Sequence, residues 1–231
     1  MASAGDSLIA VTRAGRPGVL VRNRGSGREV ELGADAARSP SHIQWMNSEW
    51  FVSDIESGKP AVVVLSPAGE LRRRVSLERF TQTPHQFAVL PDGRIIVEAP
   101  DGTLVTANSD SAAVFAVTER GPKTGLLLSA SGGVLHAVPD RYITLYNEFG
   151  HLRWRLDWPW ARTAFVTEIT TDPQGRIHVL AGVPSETTFI VYSLSSQTGE
   201  VVTWSQPALN ATFVVDRLGA LKADDAGKWL K

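Results

Sequence analysis

The chain has no cysteine among its 231 residues. That removes disulfides, thiolate metal sites and a cysteine nucleophile at once. It has no basic excess either: 23 Lys and Arg stand against 24 Asp and Glu, so the formal charge is -1. Nucleic-acid binding, which relies on neutralising phosphates, is therefore not expected. No run approaches the roughly 18 consecutive apolar residues of a membrane-spanning helix. The first residues, MASAGDSLIAV, lack a basic leader, and their apolar run is too short for a signal peptide. With Met1 as the natural start, the expected location is the cytoplasm. Helical periodicity of useful length is absent too. No Gly-x-Ser-x-Gly elbow, phosphate-cradling loop, dinucleotide fingerprint or His-Glu-x-x-His pair occurs, so no cofactor is expected.

What is present is a repeat. Short apolar runs flank a turn in IQWMNSEWFVSD from Ile43, FAVLPDGRIIVEAPDG from Phe87 and LLSASGGVLHAVPD from Leu127. They recur in ITTDPQGRIHVLAG from Ile169 and FVVDRLGALKADD from Phe213. With the turn residue as anchor, the copies align on Glu49, Gly93, Gly133, Gly175 and Gly219, spaced by 44, 40, 42 and 44 residues. Six residues before the anchor stand Ile43, Phe87, Leu127, Ile169 and Phe213. Two after it stand Phe51, Ile95, Leu135, Ile177 and Leu221. Both columns are wholly apolar, and apolar residues alternate with period two, as strands with one buried face require. Pro-Asp-Gly and Pro-Gln-Gly tips suit tight turns between antiparallel strands.

Two further strand-like runs follow each of the first four hairpins, for example YITLYNEFG and HLRWRL, or TFIVYSL and EVVTWS. Four antiparallel strands in about 42 residues make one blade of a β-propeller. The expected fold is all-β, one propeller domain over residues 1–231. SLIAVT, GVLVRN and REVELG at the N-terminus match strands two, three and four of a blade whose first strand is missing. The run TFVVD at 212–216 can supply it, which closes a ring of five blades. Six blades with incomplete ends is the alternative, because Leu221 and Ala223 continue the second-strand pattern.

The apolar strand, Pro-Asp-Gly turn, apolar strand pattern resembles the NHL-repeat and the gluconolactonase or strictosidine-synthase-like propellers. The resemblance covers nearly the whole chain and implies architecture. Lactonase-type members hold a divalent cation with carboxylate and asparagine side chains from several first strands. Here the position before the apolar column reads His42, Gln86, Leu126, Glu168 and Thr212, and the one before that Ser41, His85, Gly125, Thr167 and Ala211. One carboxylate and no asparagine is a poor oxygen set for a hard cation.

Five groups of residues stand out. His42, His85 and Glu168 lie near the same end of three first strands and form an alternative metal or acid–base set for a lactonase-like hydrolase; their plain reading is a polar lining. His136 and His178 share a column with Val52 and Ile96 and read as packed. The segment from His151 carries Arg153, Trp154, Arg155, Trp158, Trp160 and Arg162, the residue types enriched at interface hot spots; packing between blades is their competing role. Arg72, Arg73, Arg74 and Arg79 suit an acidic partner or anionic headgroups at a membrane surface, or simply a charged strand edge that resists aggregation. Trp45 and Trp50 are candidate stacking platforms for a glycan or small ligand. The reading favoured is a non-catalytic interaction propeller, an accessory subunit that docks onto a larger, membrane-associated protein complex.

Overall fold

A computed structural model describes residues 2–4, 7–13, 15–80, 86–107, 113–118, 125–158, 165–171, 175–183, 188–205, 211–215 and 221–225. No helix occurs among them. The chain forms two compact units, residues 1–123 and 124–231.

The first unit holds three four-stranded antiparallel sheets. Blade 1 runs β1 (Ala2–Ala4), β2 (Leu8–Thr12), β3 (Val19–Asn23), β4 (Glu29–Leu32). Blade 2 runs β5 (His42–Met46), β6 (Glu49–Glu56), β7 (Lys59–Leu65), β8 (Leu71–Ser76). Blade 3 runs β9 (Ala88–Val89), β10 (Ile95–Glu98), β11 (Leu104–Thr106), β12 (Ala113–Ala116). The second unit holds two more. Blade 4 runs β13 (Leu126–Ala130), β14 (Gly133–Val138), β15 (Tyr142–Tyr146), β16 (Leu152–Asp157). Blade 5 runs β17 (Phe165–Thr171), β18 (Ile177–Val183), β19 (Thr188–Leu194), β20 (Val201–Ser205). A separate two-stranded sheet, β21 (Ala211–Val215) and β22 (Leu221–Asp225), follows. The fold is a β-propeller of five four-stranded blades.

The five-blade expectation holds, with one correction. The first strand of blade 1 is Ala2–Ala4, paired with Leu8–Thr12, and not a strand from the C-terminus. Ala211–Val215 pairs instead with Leu221–Asp225. Ala-Ser-Ala carries too little apolar surface to stand out as a strand, yet Ala4 is buried. The local pairing of β21 closes a five-residue connection, which costs less chain entropy than a return to the N-terminus. The residues that favoured a sixth blade, Leu221 and Ala223, belong to this two-stranded sheet.

The repeat columns form the core. Ile43, Phe87, Leu127, Ile169, Phe51, Ile95, Leu135 and Ile177 are all buried. They pack between successive blades of each unit: Ile43 against Ala4, Ala10 and Val19, Phe51 against Phe87 and Val89, Leu135 against Val166 and Ile169. Two turn designs join the first two strands. In blades 2 and 4 both tip residues are left-handed, Asn47 and Ser48 in one, Ser131 and Gly132 in the other, as a type I′ turn demands. In blade 3 only the anchor is left-handed: Gly93 at φ 84 donates to Leu90 O, while Asp92 Oδ1 accepts from Arg94 N at 3.0 Å. Gly133 is a different case. A Cβ there would come within 1.9 Å of Tyr146 O, so this glycine lets β14 and β15 approach.

Candidate functional site

His42 opens β5. Its backbone N–H donates to Ser53 Oγ at 2.8 Å, and its ring meets Phe87 edge-on at 5.2 Å. Its Nε2 lies 3.1 Å from Gln44 Nε2, and the Gln44 amide in turn donates to Phe87 O. Loss of water around the ring holds its pKa down at about 3, so the imidazole is neutral at ordinary pH. Glu168 on β17 is exposed, with Leu180 as its cross-strand partner. His85 lies outside the described residues. Among the described residues, no three His, Asp or Glu side chains come together in a way that could hold a metal ion.

His136 and His178 sit in the core, as their column requires. His178 Nδ1 lies 2.9 Å from Ser193 Oγ, its cross-strand partner. His136 meets Tyr142 edge-on at 6.1 Å. Trp50 is fully buried and tilts against half-buried Trp45, with ring centroids 4.4 Å apart. A ring with no exposed face cannot be a stacking platform, so the glycan role expected for Trp50 is corrected to packing between blades 1 and 2.

The Trp-Arg segment divides by register. Trp154 is 8% exposed and Trp158 4%. Both belong to the core between blades 4 and 5. Trp154 Nε1 donates to Ser196 O at 3.0 Å, and Trp158 meets Tyr192 edge-on at 5.3 Å. Burial beside this ring raises the Tyr192 phenol above its ordinary pKa. These two rings, expected at a partner interface, are spent on packing instead. A strand of period two must turn alternate residues inward when a neighbouring blade covers one face. Arg153 and Arg155 point the other way. Arg153 donates to Ser131 O at 3.1 Å and lies 3.8 Å from Glu148. Arg155 donates to Asp157 at 2.6 Å and covers the Tyr142 ring at 4.3 Å. Trp160 and Arg162 lie outside the described residues.

The arginine run divides too, though not by simple alternation. Arg72 and Arg73 are exposed on β8, and Arg72 lies 3.7 Å from Glu70. Arg74 turns toward Asp54, whose side chain has no exposed surface. Its Nη2 donates to Asp54 Oδ2 at 2.8 Å and lies 3.4 Å from Glu56, while Nη1 donates to Ala36 O at 3.1 Å. Asp54 Oδ1 accepts from Ser39 N at 2.6 Å. Arg74 is thus a structural residue that ties β8, β6 and the strand-free stretch before β5.

A surface feature that sequence reasoning missed lies beside the Trp-Arg segment. The turn between β15 and β16 presents Phe149, 68% exposed, and β16 begins with Leu152, 56% exposed. Asn147 Oδ1 accepts from both Phe149 N and His151 N at 2.9 Å. Gly150 at φ 82 completes the turn and donates to Asn147 O at 3.0 Å. Phe149 is therefore held out by a well-bonded turn, with Leu152 and Arg153 on the adjoining strand. The available signal was a phenylalanine inside an Asn-Glu-Phe-Gly turn, where polar residues are the rule.

Among the described residues, no helix is long and apolar enough to cross a membrane. No family model matches the chain, and no curated protein matches its sequence. Solved structures match its fold. A nidogen/laminin complex structure is 12% identical, with 88% of this chain and 77% of that one covered and a TM-score of 0.59. A protein from Lactobacillus plantarum is 14% identical, with 98% and 76% covered and a TM-score of 0.59. A gluconolactonase from Xanthomonas campestris is 18% identical, with 74% and 64% covered and a TM-score of 0.50. This chain thus spans under two thirds of the gluconolactonase. Identities this low speak to fold and not to activity. The chain is a five-bladed β-propeller, similar in fold to chains of a gluconolactonase structure and of a nidogen/laminin complex structure.

Proposed function

We propose that the chain is a non-catalytic interaction propeller, an accessory subunit that docks onto a larger protein assembly. The observation that carries this reading is exposed Phe149 on a hydrogen-bonded turn, with exposed Leu152 opening the adjoining strand β16, which also carries Arg153 and Arg155. Large apolar side chains left in water next to a strand that carries arginines have the make-up of an interface hot spot. The nidogen/laminin structure offers a precedent for a propeller of this fold within a protein complex. A cytoplasmic location and contact with a membrane-bound assembly remain part of the proposal.

The test is capture of the tagged chain from its own cells, with membranes solubilised. The wild type should recover a stoichiometric partner, and the double variant Phe149→Ser, Leu152→Ser should lose it while remaining folded. Recovery of the chain alone, or equal recovery by the variant, would overturn the reading.

A metal-dependent hydrolase is the competing reading. Its one supporting feature is His42, which burial keeps in the neutral form that metal ligation needs. Metal analysis of protein purified without chelator discriminates the two. A bound equivalent that His42→Ala removes would favour the hydrolase.

A further inference from the structure

The outer strand of a blade offers unpaired backbone groups to any other strand, and a bulge is one way to spoil that offer. Four of the five outer strands have one. A single extra residue interrupts the pairing of β8, β12, β16 and β20 with the strand before it: Arg72, Phe115, Arg153 and Val202. The exception is β4. Its four residues, Glu29–Leu32, pair one for one with β3, and the register never shifts.

The pairing also shows which backbone groups β4 has left. Asn23 N donates to Arg28 O at 2.9 Å on one side of β3, and Arg24 N donates to Ser7 O at 2.8 Å on the other. Bonded pairs alternate along an antiparallel ladder, so Val30 and Leu32 bond to β3. The N–H and C=O groups of Glu29 and Glu31 point the other way, to the outer edge. Among the described residues β4 pairs with β3 alone, and Glu29, Val30 and Glu31 are all exposed. The chain is described without a break from residue 15 to residue 80, on both sides of this strand.

The charges select the occupant. Glu29 and Glu31 lie on one face of the strand and Val30 on the other. An antiparallel copy of β4 centred on Val30 would set Glu29 against Glu31 twice, so the edge repels itself. Each carboxylate has one cation within its own blade: Glu29 lies 3.9 Å from Arg22, and Glu31 is bonded to Arg13. Both glutamate side chains still stay exposed. A lysine or arginine directly opposite each of them makes a favourable cross-strand pair.

We infer that β4 is a docking edge for an extended basic segment of another protein. The segment adds antiparallel to blade 1 as a fifth strand, with Lys or Arg opposite Glu29 and Glu31 and an apolar residue opposite Val30. Backbone bonds to Glu29 and Glu31 supply affinity, and the two carboxylates supply selection. This edge is separate from the Phe149 turn, and either surface can fail without the other.

The test titrates the isotope-labelled full chain with the end-capped peptide Thr-Lys-Val-Lys-Thr and follows backbone amides by NMR. The Glu29 and Glu31 amides should shift and saturate. Glutamate in place of both lysines should abolish the shift, and Glu29→Lys should weaken binding about fivefold. N-methylation of the peptide decides the geometry with no change to the protein. Opposite a glutamate, each lysine N–H faces β4, so methylating both lysine nitrogens should abolish binding. The valine N–H faces away, so methylating it should leave binding intact. No shift at Glu29 and Glu31 up to millimolar peptide would overturn the inference. So would equal binding by the two methylated peptides, which charge attraction without strand pairing would give.

Discussion

The indole of Trp154 lies flat against Gly199: a Cβ on Gly199 would come within 2.5 Å of Trp154 Cε3. Gly199 also has φ 74, a conformation that L side chains rarely adopt. Blade 4 is thus plugged into the β19–β20 turn of blade 5 by one ring, at a position that must have no side chain.

Gly199→Ala should cost about 3 kcal/mol, from left-handed strain of roughly 1 kcal/mol plus displacement of the buried ring. Gly175→Ala is the control. Gly175 has φ 78, but nothing lies within 4 Å of its would-be Cβ, so about 1 kcal/mol is expected. Urea unfolding followed by tryptophan fluorescence measures both. Equal costs would show that the Trp154–Gly199 contact adds nothing.

Most of the blade architecture was legible because its signal is local. Each hairpin shows both apolar columns within about ten residues, and the copies reinforce one another. The fate of Trp154 was not legible, because the glycine and carbonyl that receive it lie on the next blade, more than 40 residues away in sequence. Arg72, Arg73 and Arg74 look alike in sequence. What distinguishes Arg74 is its reach to buried Asp54, a residue on another strand. The strand Ala2–Ala4 was hidden by its small side chains. The exposure of Phe149 was not legible because a single phenylalanine in a turn belongs to no repeating apolar pattern.

Arg74 should therefore behave unlike its neighbours. Removing it leaves the Asp54 carboxylate buried with only the Ser39 N–H as a described partner. Arg74→Ala should cost about 3 kcal/mol, as breaking a buried pair does. Discounting for the 30% exposure of the Arg74 side chain lowers that toward 2 kcal/mol. Arg72→Ala and Arg73→Ala should each stay within about 0.5 kcal/mol of wild type. Chemical denaturation of the three single variants distinguishes them. Three equal effects would mean that the arginine run acts only as a charged edge.

His42 should make the fold acid-sensitive. The folded-state pKa is about 3, against roughly 6.5 for a histidine in the unfolded chain. Between those values the unfolded chain binds a proton that the folded chain refuses. Stability is therefore full above pH 6.5 and falls as pH drops toward 3. At pH 5 the loss should be about 1–2 kcal/mol relative to pH 7.5, allowing for partial exposure of the ring. His42→Gln has no such proton to lose. Its stability difference between pH 7.5 and pH 5 should be smaller by that amount. An unchanged difference would place the acid sensitivity elsewhere.

Trp50 and Trp154 make a final contrast, because both are buried tryptophans between blades and only one uses its N–H. Trp154 Nε1 donates to Ser196 O. Among the described residues, Trp50 Nε1 is buried with no hydrogen-bond partner. A buried donor left unpaired costs about 1–3 kcal/mol, so Trp50 carries a penalty that phenylalanine would relieve. Trp50→Phe loses ring volume in a closed core but removes that donor, and the two effects oppose each other. Trp154→Phe loses ring volume and also orphans Ser196 O, so its effects add. Trp154→Phe should therefore cost at least about 1 kcal/mol more than Trp50→Phe. Equilibrium unfolding of the two variants decides the point. The reverse order would mean that the packing of Trp50 against Trp45 and the blade 1 strands outweighs its unpaired indole.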